Sequence, residues 1–117
     1  MSSFKQSLSD DEKRVLTSLI KALKPFRELD PAMPLQYVTA FLEVTIKEGK
    51  TVTEYAEITG VSQSLMTRHL ADLGKINRHH EAGHDLIEAK TDPMDRRTKR
   101  NQLTARANAS SVKHWGR

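Results

Sequence analysis

The sequence predicts a mainly α-helical chain carrying one small β-hairpin (α+β), folded as a single domain. Apolar residues recur at helical spacing in successive stretches between Val15 and Leu73, each bounded by capping or turn residues. After Leu86 the pattern changes to short runs suited to strands. A length of 117 residues matches one domain and leaves little room for a second.

The first eight residues are polar and read as a flexible N-terminus. Ser9-Asp10-Asp11-Glu12 then forms a capping box, with acidic residues that complement the helix dipole. Val15, Leu16, Leu19, Ile20 and Leu23 follow on one face, so a helix is expected from Asp10 to Leu23, with Pro25 limiting or kinking it. Asp30-Pro31-Ala32-Met33-Pro34 is a break. The second helix is expected to start at Pro34, to bury Leu35, Val38, Phe41, Leu42 and Ile46, and to stop at Gly49.

Thr53 is expected to cap a short third helix, Glu54 to Thr59. Gly60-Val61 turns the chain, and Ser62 caps a fourth helix from Gln63 to about Leu73. Residues 74–85, rich in His, Asn and Gly, read as an inserted loop. Leu86 to Lys90 and Thr98 to Leu103 are the strand candidates, joined by the turn-forming Thr91-Asp92-Pro93-Met94-Asp95. Thr104 suits the cap of a final short helix or tail over 105–117. The domain therefore spans 9–104, with helices paired at 53–73 and the hairpin at 86–103.

Hydrophobic residues make up 37% and aromatic residues 5%, so the core is built mainly from Leu, Val, Ile, Met and Ala. Cys is absent, which excludes disulfides, thiolate metal sites and thiol redox sensing. No stretch approaches the ~20 apolar residues of a membrane helix, and Met1 to Asp10 holds no apolar signal segment, so no membrane role and a cytoplasmic location are expected. The net charge of +4 is unevenly placed. Residues 1–60 carry 8 basic and 9 acidic side chains, and residues 61–117 carry 11 and 6, which suggests a polyanion partner for the C-terminal half.

Helix, helix, helix and two-stranded hairpin, in that order, are the elements of a winged helix. In Glu54-Tyr-Ala-Glu-Ile-Thr-Gly-Val-Ser-Gln-Ser-Leu-Met-Thr-Arg-His-Leu70, Ala56 is small where two helices cross and Gly60 supplies the turn. Val61, Met66, Leu70 and Leu73 face the core, which leaves Gln63, Ser64, Thr67 and Arg68 on the opposite face. Such a face can read base edges in a major groove; an ordinary solvated helix face is the competing reading. Arg96, Arg97, Lys99 and Arg100 then project from the hairpin, and an arginine-tipped ribbon can enter a minor groove. An exposed charged turn without a partner is the alternative there.

Val52 to Arg68, together with Leu86-Ile-Glu-Ala-Lys-Thr-Asp-Pro-Met-Asp-Arg-Arg97 and the closing Leu103-Thr104, resembles the MarR family of winged-helix regulators over roughly Met33 to Thr104. The resemblance implies that Ser62, Gln63, Ser64, Thr67 and Arg68 lie at the DNA and that Arg97 is a wing-tip arginine braced by Asp95. Family members pass from the recognition helix to the wing in a few residues, whereas residues 74–85 make a longer detour here. They also carry long helices after the wing that build the dimer and line an effector pocket, whereas thirteen residues follow Thr104 here. The first helix is the remaining apolar surface for a homodimer, and a small-molecule effector is left open.

His80-Glu-Ala-Gly-His84 matches the H-E-x-x-H pattern of zinc proteases, but that chemistry needs a continuous helix, and Gly83 and nearby Gly74 and Asn77 argue against one. His79, His80 and His84 remain metal candidates, with solvated loop histidines as the alternative. No nucleophile elbow, phosphate-binding glycine loop or paired catalytic carboxylate is found, so no enzyme and no cofactor are expected. The function expected is a sequence-specific double-stranded DNA-binding transcriptional regulator, a repressor acting as a homodimer on an inverted-repeat operator. The alternatives are a DNA-binding protein of replication, partition or packaging in a mobile element, or a winged helix used to bind protein.

Overall fold

The computed structural model describes residues 7–109; the expected flexible segment before Ser7 and the tail beyond Ala109 lie outside the described residues. Five helices and one hairpin follow in order: α1 (Asp10–Leu29), α2 (Leu35–Ile46), α3 (Val52–Thr59), α4 (Gln63–Asp72), β1 (Ile87–Asp92), β2 (Asp95–Leu103) and α5 (Ala105–Ala109). Ser9 caps α1 through the Glu12 amide, and the Glu12 side chain returns to the Ser9 amide. The helix does not stop at Pro25. It continues to Leu29 because Phe26, the next residue, is buried and meets Phe41 of α2 edge-on, with ring centroids 5.6 Å apart. That packing outweighs the amide hydrogen bond which proline removes.

Every residue from Ser7 to Lys21 is exposed. Val15, Leu16, Leu19 and Ile20 keep 68%, 48%, 54% and 65% of their surface open to solvent. An apolar stripe of this size on a helix is unusual for a lone domain.

Pro34 caps α2 from outside and is not its first residue, and α3 begins earlier than Thr53 predicts. Thr51 is the cap, because the box it forms with Glu54 satisfies two orphan amides at once, which Thr53 could not do. Gly60 ends α3 in the left-handed region at φ +76°, where a side chain would be strained. Tyr55 is fully buried and donates to the Lys47 carbonyl at 2.5 Å, which ties α3 to the end of α2. Around it Phe41, Val44, Met66, Leu73, Leu86 and Leu103 form the core.

β1 and β2 pair antiparallel, with Ile87 opposite Leu103 and Thr91 opposite Lys99. Lys50 pairs with Asn101 on the other edge of β2, so β2 is held from both sides. Both strands run longer than the sequence suggests, and the turn narrows to Pro93-Met94. The Thr104 hydroxyl accepts from the Ala107 amide and donates to the Asp85 carbonyl, fixing α5 below the hairpin.

Candidate nucleic-acid interface

The helix-turn-helix is α3, the turn Gly60-Val61, and α4. Ser62 caps α4 through the Leu65 amide at 3.1 Å. Met66, His69, Leu70 and Asp72 turn inward. Ser62, Gln63, Ser64, Thr67 and Arg68 are all exposed. The side chains of Gln63 and Arg68 have no hydrogen-bond or ionic partner among the described residues, while Thr67 bonds only to the Gln63 carbonyl of its own helix. Gln63, Ser64, Thr67 and Arg68 line one shallow hollow. Thr67 also lines a second groove, whose far wall is Ala89 and Asn101 of the hairpin. Thr67 is thus shared by the hollow on the polar face of α4 and the groove that runs to the base of the wing.

The wing tip differs from the sequence expectation in a specific way. Between the pairs Thr91–Lys99 and Asp92–Asp95 the register slips, so Arg96, Arg97 and Thr98 bulge out without partners on β1. Asp95 organises this bulge. Its carboxylate accepts from the Arg97 amide at 3.1 Å and from the Thr98 hydroxyl at 2.8 Å, as a side-chain turn does. Asp95 thus meets Arg97 through the backbone amide, with no contact to its guanidinium among the described residues. The Arg96, Arg97 and Lys99 side chains are exposed and have no partner among the described residues.

Arg100 was expected among the outward cations and is instead clasped. Its Nε donates to Asp92 Oδ2 at 2.8 Å, one terminal nitrogen donates to the Gly49 carbonyl at 3.0 Å, and Glu54 lies 4.0 Å away. Arg100 so hydrogen-bonded holds the Asp92 carboxyl below the usual aspartate range, and the Met94 amide adds to the effect. No spacing in the sequence marked Asp92 for this task. The three partners come from the start of the turn, the loop before α3 and the first turn of α3.

The inserted loop is held by a polar hub. Tyr37 of α2 donates a short hydrogen bond to Asp72 at the end of α4, and Asp72 also receives the Arg78 amide at 3.3 Å and its guanidinium at 3.4 Å. Burial alone would raise the Asp72 pKa, but the Tyr37 and Arg78 contacts outweigh it and the net shift is downward. His84 places one ring nitrogen 2.9 Å from Asp30 Oδ2 and the other 3.1 Å from the Asp72 carbonyl oxygen. His79 and His80 are exposed, and residues 80–84 form no helix. Among the described residues no group of three or more His, Cys, Asp or Glu is placed to hold a metal, so His79, His80 and His84 do not converge on one.

No family model matches the chain, and no curated protein matches it. Solved structures do. A MarR-like transcriptional regulator from Thermotoga maritima superimposes with a TM-score of 0.59 at 25% identity, over 88% of this chain and 70% of that one. RV1404 from Mycobacterium tuberculosis gives 0.65 at 18% identity, over 95% and 73%. The transcriptional repressor CouR, solved bound to a 23-mer DNA duplex, gives 0.56 at 21% identity, over 84% and 62%. No helix among the described residues is long and apolar enough to cross a membrane. With its helix-turn-helix, its two-stranded wing and these structural counterparts, the chain has the winged-helix fold seen in MarR-like regulators.

Proposed function

We propose that this chain is a sequence-specific double-stranded DNA-binding regulator of transcription, and that it acts as a repressor on an inverted-repeat operator. The observation that carries the reading is the exposed polar face of α4 and its link, through Thr67, to the groove at the base of the wing. Gln63, Ser64, Thr67 and Arg68 form an exposed face free of acidic groups, and Thr67 looks across the same groove as the base of a cationic wing. A recognition helix in the major groove with a basic ribbon beside it needs that arrangement. Gln suits adenine and Arg suits guanine, while Arg96, Arg97 and Lys99 suit the backbone and the minor groove. The structural counterparts include a transcriptional repressor solved on duplex DNA, which favours the same reading.

The homodimer rests on α1, whose open stripe of Val15, Leu16, Leu19 and Ile20 a second copy would cover. Selection of duplexes from a random pool with the pure protein tests the whole reading. Enrichment of an inverted repeat with half-sites about 10 base pairs apart is the expected result. A repeated array would redirect it toward replication, partition or packaging, and binding no tighter than that of a neutral protein at low salt would end it.

A further inference from the structure

The insertion between α4 and β1 forms a small hairpin of its own. Ile76 pairs with Ala82, and the Lys75 carbonyl accepts from the Gly83 amide at 3.0 Å. The Asn77 side chain holds the turn by accepting from the His79 and Glu81 amides at 2.9 and 3.1 Å. These bonds fix the backbone around Lys75. Its side chain is exposed and has no hydrogen-bond or ionic partner among the described residues.

The cations of this hairpin are put to different uses. Arg78 is spent on Asp72, as described above. Lys75 instead lines the groove that also holds Thr67 of α4 and Ala89 and Asn101 of the wing. Thr67 belongs as well to the exposed hollow of Gln63, Ser64 and Arg68. From Thr67 to the end of α4 at Asp72 is about 7.5 Å along the helix axis, comparable with roughly two nucleotide steps of a duplex strand.

We propose that Lys75 binds a backbone phosphate of duplex DNA, so that the inserted hairpin adds a third point of contact to the recognition helix and the wing. This role rests on the DNA-binding reading above and extends it to a segment which that reading leaves out. A lysine ammonium neutralises a phosphate as a point charge and reads no base. Two carboxylates line the same groove. Glu88 is engaged, accepting from Gln102 at 2.8 Å with the Lys90 ammonium 3.9 Å away. Asp85 is the opposing charge: it is half-buried, and its carboxylate has no partner among the described residues. A phosphate at Lys75 is thus drawn by one groove residue and repelled by another, so substitutions at the two should move affinity in opposite directions.

Fluorescence anisotropy with the full chain, on a duplex it selects and on a scrambled one, tests this across a salt series. Lys75→Gln should weaken binding about equally on both duplexes and lower the slope of log affinity against log salt by about one. The parent's advantage over the variant should then shrink about threefold between roughly 50 and 200 mM salt. Lys75→Arg should restore the slope. Asp85→Asn should tighten binding, and its backbone at φ +55° is one that asparagine adopts readily. A lysine that merely steadies the hairpin would change affinity at an unchanged slope, and that result overturns the proposal. So does weaker binding by Asp85→Asn. If Lys75→Gln matches the parent while Arg68→Ala binds less tightly, the proposal fails and the DNA-binding reading stands; a parent that binds no duplex overturns both.

Discussion

Arg100 and Asp92 close the wing onto the helix-turn-helix: the arginine Nε meets the carboxylate at 2.8 Å while its terminal nitrogen holds the Gly49 carbonyl. The guanidinium thus joins the hairpin to the loop before α3. Arg100→Ala should therefore weaken DNA binding by loosening the wing, with a salt dependence close to that of the parent, because no phosphate contact is lost. A salt slope reduced by about one would place Arg100 on the DNA instead.

Arg97 is the opposite case, since its side chain has no internal partner. Arg97→Ala should weaken binding and flatten the plot of log affinity against log salt. Asp95→Ala should reproduce part of the loss, because it frees the bulge that presents Arg97. Fluorescence anisotropy across a salt series separates the two, and an unchanged slope in Arg97→Ala would remove the wing from the interface.

Arg68→Ala should cost about 1–3 kcal/mol on the selected duplex and relax preference at a single base pair, as loss of a bidentate base contact does. Uniform weakening on every sequence would make it a backbone contact.

Asp30 is held below the usual aspartate range chiefly by its hydrogen bond to His84, with help from the Ala32 amide. A carboxyl lowered by folding adds stability that is present above its unfolded pKa of about 4 and lost as pH falls through the folded value. Urea denaturation should thus show stability falling below about pH 4, and Asp30→Asn should be less acid-sensitive. Parallel curves for the two proteins would show that the pair contributes nothing.

A second copy on α1 gives a direct test by sedimentation. Leu16→Glu with Leu19→Glu should leave the melting of the helix-turn-helix intact and convert a dimer into a monomer, since both side chains are already half open to solvent in the single chain. A monomeric parent would assign the stripe another occupant.

Local chemistry made much of this fold legible in the residues. Capping at Ser9 and Ser62, the αL turn at Gly60 and the stripe Met66–Leu70–Leu73 are short-range features, and each forms where its sequence pattern lies. Errors arose where a distant partner decides. Pro25 stays helical because Phe41 holds Phe26. The cap is a local exception: Thr51 displaces Thr53 through Glu54, only three residues on. At the candidate site the exposed face of α4 could be read from its periodicity. Arg100 could not be separated from its neighbours, because the carbonyl of Gly49 that captures it lies 51 residues away.

The inserted loop leaves and re-enters the body through one narrow neck. Leu86 donates to the Leu73 carbonyl, Asp85 to that of Gly74 and Gly83 to that of Lys75, and a Cβ on Gly83 would stand 2.1 Å from the Gly74 oxygen. With its two ends zipped together, the excursion cannot act as a slack tether between reading head and wing. Its outer residues could be shortened or exchanged for a different sequence while the geometry on either side stayed put, because closing such a loop depends only weakly on its length.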